Sequence, residues 1–300
     1  MRRGGAGVVL VLVSAVSFGF MPIFARLAYA QGVGVDELLF IRMLMASLII
    51  GGIIAARRQL TVPKRNDLLV LIGLGAIGYF LQATLYFTAL LYSPVAIVAL
   101  LLYTYPILVV IGAYLLGWEN ISRLLVAAFL IALVGLVLVA NPSGNFIGLG
   151  VVLAVGSAVG YSGYILGGTK VLGRVSGEVA AFYITGSAAV SFGLAGALTG
   201  SIHLNWTWLG WFWVAMLAVV CTVVAITTFL MGLARIGPSR AALLCLLEPV
   251  TGVLASTLLF GNALTATQWF GGVLILAATA ITTLRGHSQD ERELRSVTMG

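Results

Sequence analysis

Residues 7–16 read GVVLVLVSAV, and residues 150–159 read GVVLAVGSAV. Seven of the ten positions are identical, at an offset of 143 (150 minus 7). In a chain dominated by Leu, Val, Ala and Gly, one such match carries little weight. The same offset, however, places Thr84 on Thr227, Ala99 on Ala242 and Pro106 on Pro249. One constant offset running through both halves marks an internal repeat.

Composition says what kind of unit is repeated. Sixty-one per cent of the residues are hydrophobic and 8% are charged, with a mean hydropathy of +1.13. A soluble domain carries about 25% charged residues, so the solvent for most of this chain is lipid. A helix needs roughly 20 apolar residues to cross the hydrocarbon layer. Such runs lie at 6–29, 36–56, 68–91, 95–116, 123–140, 147–170, 177–199, 208–234, 239–260 and 265–284. Pro94, after Tyr92-Ser93, separates the third and fourth runs. Pro238, after Ile236-Gly237, separates the eighth and ninth, because proline breaks a helix. The first run follows Arg2 and Arg3 as a signal peptide would, but from Gly7 to Tyr29 it is too long for one, and it reads as a retained span.

The expected fold is therefore all-α and integral to the membrane, with ten transmembrane helices. The first repeat unit is 6–140 and the second is 147–284, with a polar cytoplasmic tail at 285–300. Five spans per unit is an odd number. The second unit must enter the bilayer from the side opposite the first, which makes a five-plus-five inverted repeat. That arrangement belongs to transporters, whose halves exchange inward-open and outward-open shapes around a shared midplane site.

Charge fixes the expected orientation. With the N-terminus in the cytoplasm, 14 of the 16 Lys and Arg fall on the cytoplasmic side and none in outer loops; Arg26 and Arg42 lie within spans. This is the positive-inside pattern. The net charge of +7 is thus membrane-flanking, with no cationic face for nucleic acid. The segment NWTWLGWFW, with Trp206, Trp208, Trp211 and Trp213, reads as an outer interfacial belt. Cys221 and Cys245 both sit in apolar runs and read as small core residues.

Glu248 stands directly before Pro249 in CLLEPVTG, nine residues into the ninth run from Ser239. At 1.5 Å per residue that is about 13 Å deep. An acid near the bilayer centre costs roughly 2.5–3.5 kcal/mol on insertion scales and must face a cavity or a partner. It can receive a substrate ammonium or take part in proton movement; equally it can hydrogen-bond a neighbouring helix and lock the kink. Pro249 frees the Cys245 carbonyl and Pro106 frees that of Leu102, so two kinked helices offer carbonyls at one depth. The repeat counterpart of Glu248 is Tyr105 (248 minus 143).

Helical spacing supplies further lining candidates. Tyr79, Gln82 and Tyr86 share one face of the third run. Ser157, Tyr161 and Tyr164 share one face of the sixth, and their counterparts in the first are Ser14, Phe18 and Met21. Gly156, Gly160, Gly163 and Gly167 form an adjacent small-residue stripe suited to helix packing. Arg42, about 9 Å inside the second run at the same rise per residue, can hold a substrate carboxylate or form a gate, pair with an acid, or snorkel outward.

Ten spans, the inverted repeat, Glu248-Pro249 and Arg42 within FIRMLMASL resemble the EamA-type branch of the drug/metabolite transporter superfamily over residues 6–284. Within it the chain is most similar to bacterial exporters of aromatic and other amino acids. The resemblance implies a secondary exporter in the bacterial inner membrane, working by alternating access. Its partners would be a small-molecule substrate and the lipid bilayer, and nothing in the sequence requires more than a monomer. Two other readings stand beside it: a proton-coupled exporter of lipophilic cations using Glu248, and a non-transporting membrane receptor or assembly protein.

Enzymatic readings find no support. The nucleotide-binding pattern GxxxxGK[ST] is absent, as are HExxH and GxSxG. His203 falls in a loop and His287 in the tail, while Asp36, Asp67 and Asp290 lie at span ends or outside. No catalytic residue, metal or cofactor is expected.

Overall fold

The computed structural model describes residues 3–141, 148–261 and 264–281. Among these no strand occurs, and every long segment is helical. The last residues of the tenth expected span and the tail from 285 lie outside the described residues.

The first span is α1 (Arg3–Gly19) and α2 (Met21–Tyr29), and the second is α3 (Val35–Ala56). The third is α4 (Arg65–Gly73), one wide π segment (Leu74–Tyr79) and α5 (Phe80–Ala89). The fourth is α6 (Val95–Leu102) with α7 (Tyr105–Leu115), and the fifth is α8 (Arg123–Ala140). The second half holds α9 (Gly148–Leu172), α10 (Gly177–Thr199), α11 (Trp208–Ala218), a second π segment (Val219–Val224) and α12 (Ala225–Ile236). It ends with α13 (Pro238–Cys245), α14 (Leu247–Phe260) and α15 (Ala266–Ile281). Nine of these spans are long and apolar enough to cross a membrane, and the described part of the tenth is a shorter apolar helix.

The offset of 143 reappears in the helix limits. The starts of α4 and α11, of α6 and α13, and of α8 and α15 are each 143 residues apart, as are the ends of α2 and α9. Short polar residues set these limits. Ser122, Ser176 and Thr207 cap α8, α10 and α11 through their hydroxyls, while Asn141, Gly200 and Gly261 end α8, α10 and α14 in the left-handed region.

Packing follows the repeat as well. The α1 segment lies on α12, α13 and α14, while its counterpart α9 lies on α5, α6 and α7. The counterparts α3 and α10 pack directly on each other. The two halves are thus interleaved rather than set side by side. The outward faces are apolar: Leu198 is 88% exposed and Leu258 85%, which only lipid tolerates.

Proline and glycine shape the spans where expected and where not. Pro106 and Pro249 each follow a helix break, at Tyr103–Thr104 and at Leu246, again 143 residues apart. A third break, at Phe20, precedes Pro22 and has no equivalent in α9. The first π segment is allowed by Gly75, where a Cβ would fall on the Ile184 carbonyl and the Ser187 hydroxyl of α10. In the second, the Thr222 hydroxyl donates to the Leu217 carbonyl five residues back, at 3.0 Å. The glycine stripe of α9 packs at three places: Gly156 against Leu85, Gly160 against Gln82 and Gly167 against Leu74. Gly163, by contrast, has nothing within 4 Å of an added Cβ.

The loops sort into two ends. Arg174 reaches Asp67, and Glu119 lies against Gly237, so the arginine-rich loops share one end. At the other end the Glu37 carboxylate accepts from the His203 N–H and, at 3.0 Å, from Trp206 Nε1. The tryptophan belt is accordingly divided. Trp208 and Trp211 are exposed, whereas Trp206 is tied to Glu37 and Trp213 stacks on Phe24 at 5.9 Å.

Candidate functional site

The helix breaks and the first π segment bring polar side chains to the middle of the bundle. Glu248 occupies the first turn of α14, just past the break at Leu246. Its Oε2 accepts from the Tyr103 hydroxyl at 3.3 Å. Its Oε1 is buried and meets no nitrogen or oxygen donor, and the Cys245 thiol lies beside the carboxylate. Gly19 lets the end of α1 approach closely, since a Cβ there would come 2.8 Å from the Glu248 carbonyl oxygen.

Arg42 of α3 is 2% exposed. Of the roles open to it from sequence, two fail. It does not snorkel, and no carboxylate pairs with it among the described residues. Its Nη2 donates to the Tyr79 hydroxyl, its Nη1 lies 3.0 Å from the Met21 sulfur, and its Nε has no partner. Burial explains both failures. The side chain points into the bundle at the π segment, where Tyr79 is the last residue, and the nearest acid on its own helix, Glu37, is occupied by the loop at the tryptophan-rich end.

Between these two groups runs a chain of phenol rings. Tyr79 meets Tyr164 edge-on at 6.1 Å, and Tyr164 stacks on Tyr161 at 5.8 Å. Tyr161 meets Tyr105 at 4.5 Å, and Tyr105 lies 6.4 Å from Tyr103, which holds Glu248. Five tyrosines thus connect a buried guanidinium to a buried acid, neither with an ionic partner among the described residues.

The other sequence candidates fall differently. Gln82 and Ser157 are buried but bonded to each other. Gln82 Nε2 donates to Ser157 Oγ at 3.1 Å, and Ser157 Oγ donates to the Gln82 carbonyl at 2.9 Å, so together they join α5 to α9. Tyr86 shares no ring contact with the tyrosine chain; its ring meets Phe87, and it packs on a small cluster of Ala89, Val98 and Ala154. Phe18 is partly buried against the main core. Met21 touches Arg42. Pro106 and Pro249 place Tyr105 and Glu248 at the starts of α7 and α14. Sequence reasoning passed over Tyr103, whose one signal is its position three residues before Pro106. Among the described residues no group of three or more His, Cys, Asp or Glu could hold a metal ion.

This architecture is that of a membrane transporter. The model of the EamA-like transporter family matches the chain twice, at residues 5–141 and 148–284, and the chain belongs to that family. An uncharacterized transporter of Archaeoglobus fulgidus is 31% identical over 284 residues, covering 94% of this chain and 96% of its own. The uncharacterized transporter YcbK of Bacillus subtilis is 28% identical over 288 residues, covering 90% of each. A solved structure titled "Crystal structure of protein" shares the fold, with a TM-score of 0.82 at 22% identity over 94% of this chain and 99% of that one.

Proposed function

We propose that this chain is a secondary exporter of amino acids, aromatic ones among them, in a bacterial inner membrane with both termini in the cytoplasm. It works by alternating access around the midplane site between Arg42 and Glu248. The observation that carries this reading is a buried guanidinium and a buried carboxyl group, neither with an ionic partner among the described residues, at the two ends of the tyrosine chain. An amino acid offers a partner to each group in turn as it passes: its carboxylate suits the Arg42 guanidinium, a planar donor fork, at one end of the tyrosine chain, and its ammonium suits the Glu248 carboxylate at the other. Tyrosine rings accept an apolar or aromatic side chain through edge and face contacts. Arg42 argues against the lipophilic-cation reading, because a fixed positive charge in the site repels such a substrate. The interleaved halves argue against a non-transporting receptor, since repeated halves around a common site suit alternating access.

The test is counterflow in proteoliposomes loaded with unlabelled amino acid and given radiolabelled phenylalanine, leucine or lysine outside. Exchange of phenylalanine above protein-free liposomes is expected. Lack of exchange with every amino acid, alongside uptake of a lipophilic cation, would overturn the reading.

A further inference from the structure

The repeat relates not only helices but the contacts that close the two ends of the bundle. Asp67 is the third residue of α4, and Gly210 is the third residue of α11, 143 positions later. Arg174 lies two residues beyond α9, and Gln31 lies two residues beyond α2, 143 positions earlier. Asp67 meets Arg174 at the arginine-rich end, and Gly210 meets Gln31 at the tryptophan-rich end. They are one contact, built twice.

The two copies are made of different chemistry. At the arginine-rich end, Arg174 Nε donates to both Asp67 oxygens, at 2.9 and 3.1 Å, and Nη2 donates to Oδ1 at 2.5 Å. This bidentate pair borders a cavity of about 930 Å³, which Arg58, Lys64 and Glu178 also line. Asp67 is buried, yet the Arg174 side chain is 53% exposed. At the other end the same positions close by packing. A Cβ at Gly210 would come within 3.4 Å of the Gln31 Cβ and 3.1 Å of the Trp206 Cβ. Gln31 accepts from the Thr207 hydroxyl at 3.0 Å, and Phe24–Trp213 and Trp206–Glu37 complete the seal. A closure made of close packing, ring stacking and hydrogen bonds to one buried carboxylate, with no ion pair between its two sides, resists opening. A half-solvated ion pair has water ready to replace each partner, and salt screens it.

We propose that Asp67 and Arg174 form the latch of the cytoplasmic gate, the separable counterpart of the packed Gln31–Gly210 closure on the outer face. The proposal rests on the alternating-access reading, though not on the identity of the substrate. Breaking the pair lets α4 and the α9–α10 junction part, widening the cavity toward the site while the outer closure holds.

The experiment is a pulsed electron-spin distance measurement on the full chain in lipid nanodiscs, without substrate. The inner label pair is Val62→Cys with Gly173→Cys; Val62 is exposed, and nothing stands within 4 Å of a Cβ at 173. The outer pair is Ala30→Cys with Leu204→Cys, both exposed positions. The native Cys221 and Cys245 are buried. In Arg174→Gln and in Asp67→Asn, a longer inner distance appears or grows while the outer distance stays fixed. Raising the ionic strength shifts the native chain the same way. The exchange Asp67→Arg with Arg174→Asp returns the short inner distance. An unchanged inner distribution in both single variants overturns the latch. So does lengthening of both pairs together, which would report general loosening. A latch that responds as expected in a chain that exchanges no amino acid would leave the gate standing and refute the substrate alone.

Discussion

Glu248 and Arg42 are costly residues in a bilayer, and each leaves one buried polar atom without a nitrogen or oxygen partner, as the proposed site requires. Glu248 keeps one oxygen on Tyr103, while the other has no nitrogen or oxygen donor and the Cys245 thiol lies beside the carboxylate. A charge-assisted hydrogen bond is worth about 1.5–3 kcal/mol, or roughly ten- to hundredfold. Glu248→Gln is therefore expected to lower amino-acid counterflow by about that factor while the protein still purifies as a folded species. Tyr103→Phe removes the hydroxyl that donates to this carboxylate and should lower counterflow by a comparable factor, about 1.5–3 kcal/mol. Normal transport by Glu248→Gln would mean that the acid only locks the kink. Arg42→Lys keeps the charge but loses the fork, and is expected to weaken substrate affinity more than maximal rate, read from the concentration dependence of exchange. The acid was legible in the sequence because a carboxylate before proline stands out in an apolar run. The Gln82–Ser157 joint was not, since helical spacing assigns a face but not the neighbour that occupies it.

At the scale of the helix, the site depends on interruptions: two proline breaks and a π segment that presents Tyr79 to Arg42. The breaks were legible, because proline removes a donor and its effect falls three to four residues earlier. The π segments were not, since no residue type specifies one; the first sits where α10 crowds the backbone. Gly75 is the crowded point, with α10 where a Cβ would go. Gly75→Ala should force α10 away at a cost of about 1–3 kcal/mol, as overpacking does, and lower the thermal midpoint in detergent. Gly52, with nothing within 4 Å, is the control, and Gly52→Ala should leave the midpoint unchanged or raised. Equal midpoints for the two variants would show that the approach of the π segment to α10 is not tight.

For the whole molecule, the span count and its parity were legible because hydropathy and arginine placement are independent signals that agree only for ten crossings. What the sequence could not show is how the halves interlock, since apolar helices are nearly interchangeable as partners until packed. The interlocking makes, from contacts, the same topological prediction that charge placement makes. The Asp67–Arg174 pair ties the loop before α4 to the one after α9, so Lys64 and Lys170 must share a side of the membrane. Leu204 belongs to the loop fastened through His203 and Trp206 to Glu37, at the opposite end. Single cysteines at these positions, treated with a membrane-impermeant maleimide, are expected to react at 64 and 170 only in inside-out vesicles. The cysteine at 204 should react only in right-side-out ones. Labelling of 64 and 170 from opposite sides would break the two-ended geometry. The site between the halves would then no longer be reachable from each face in turn.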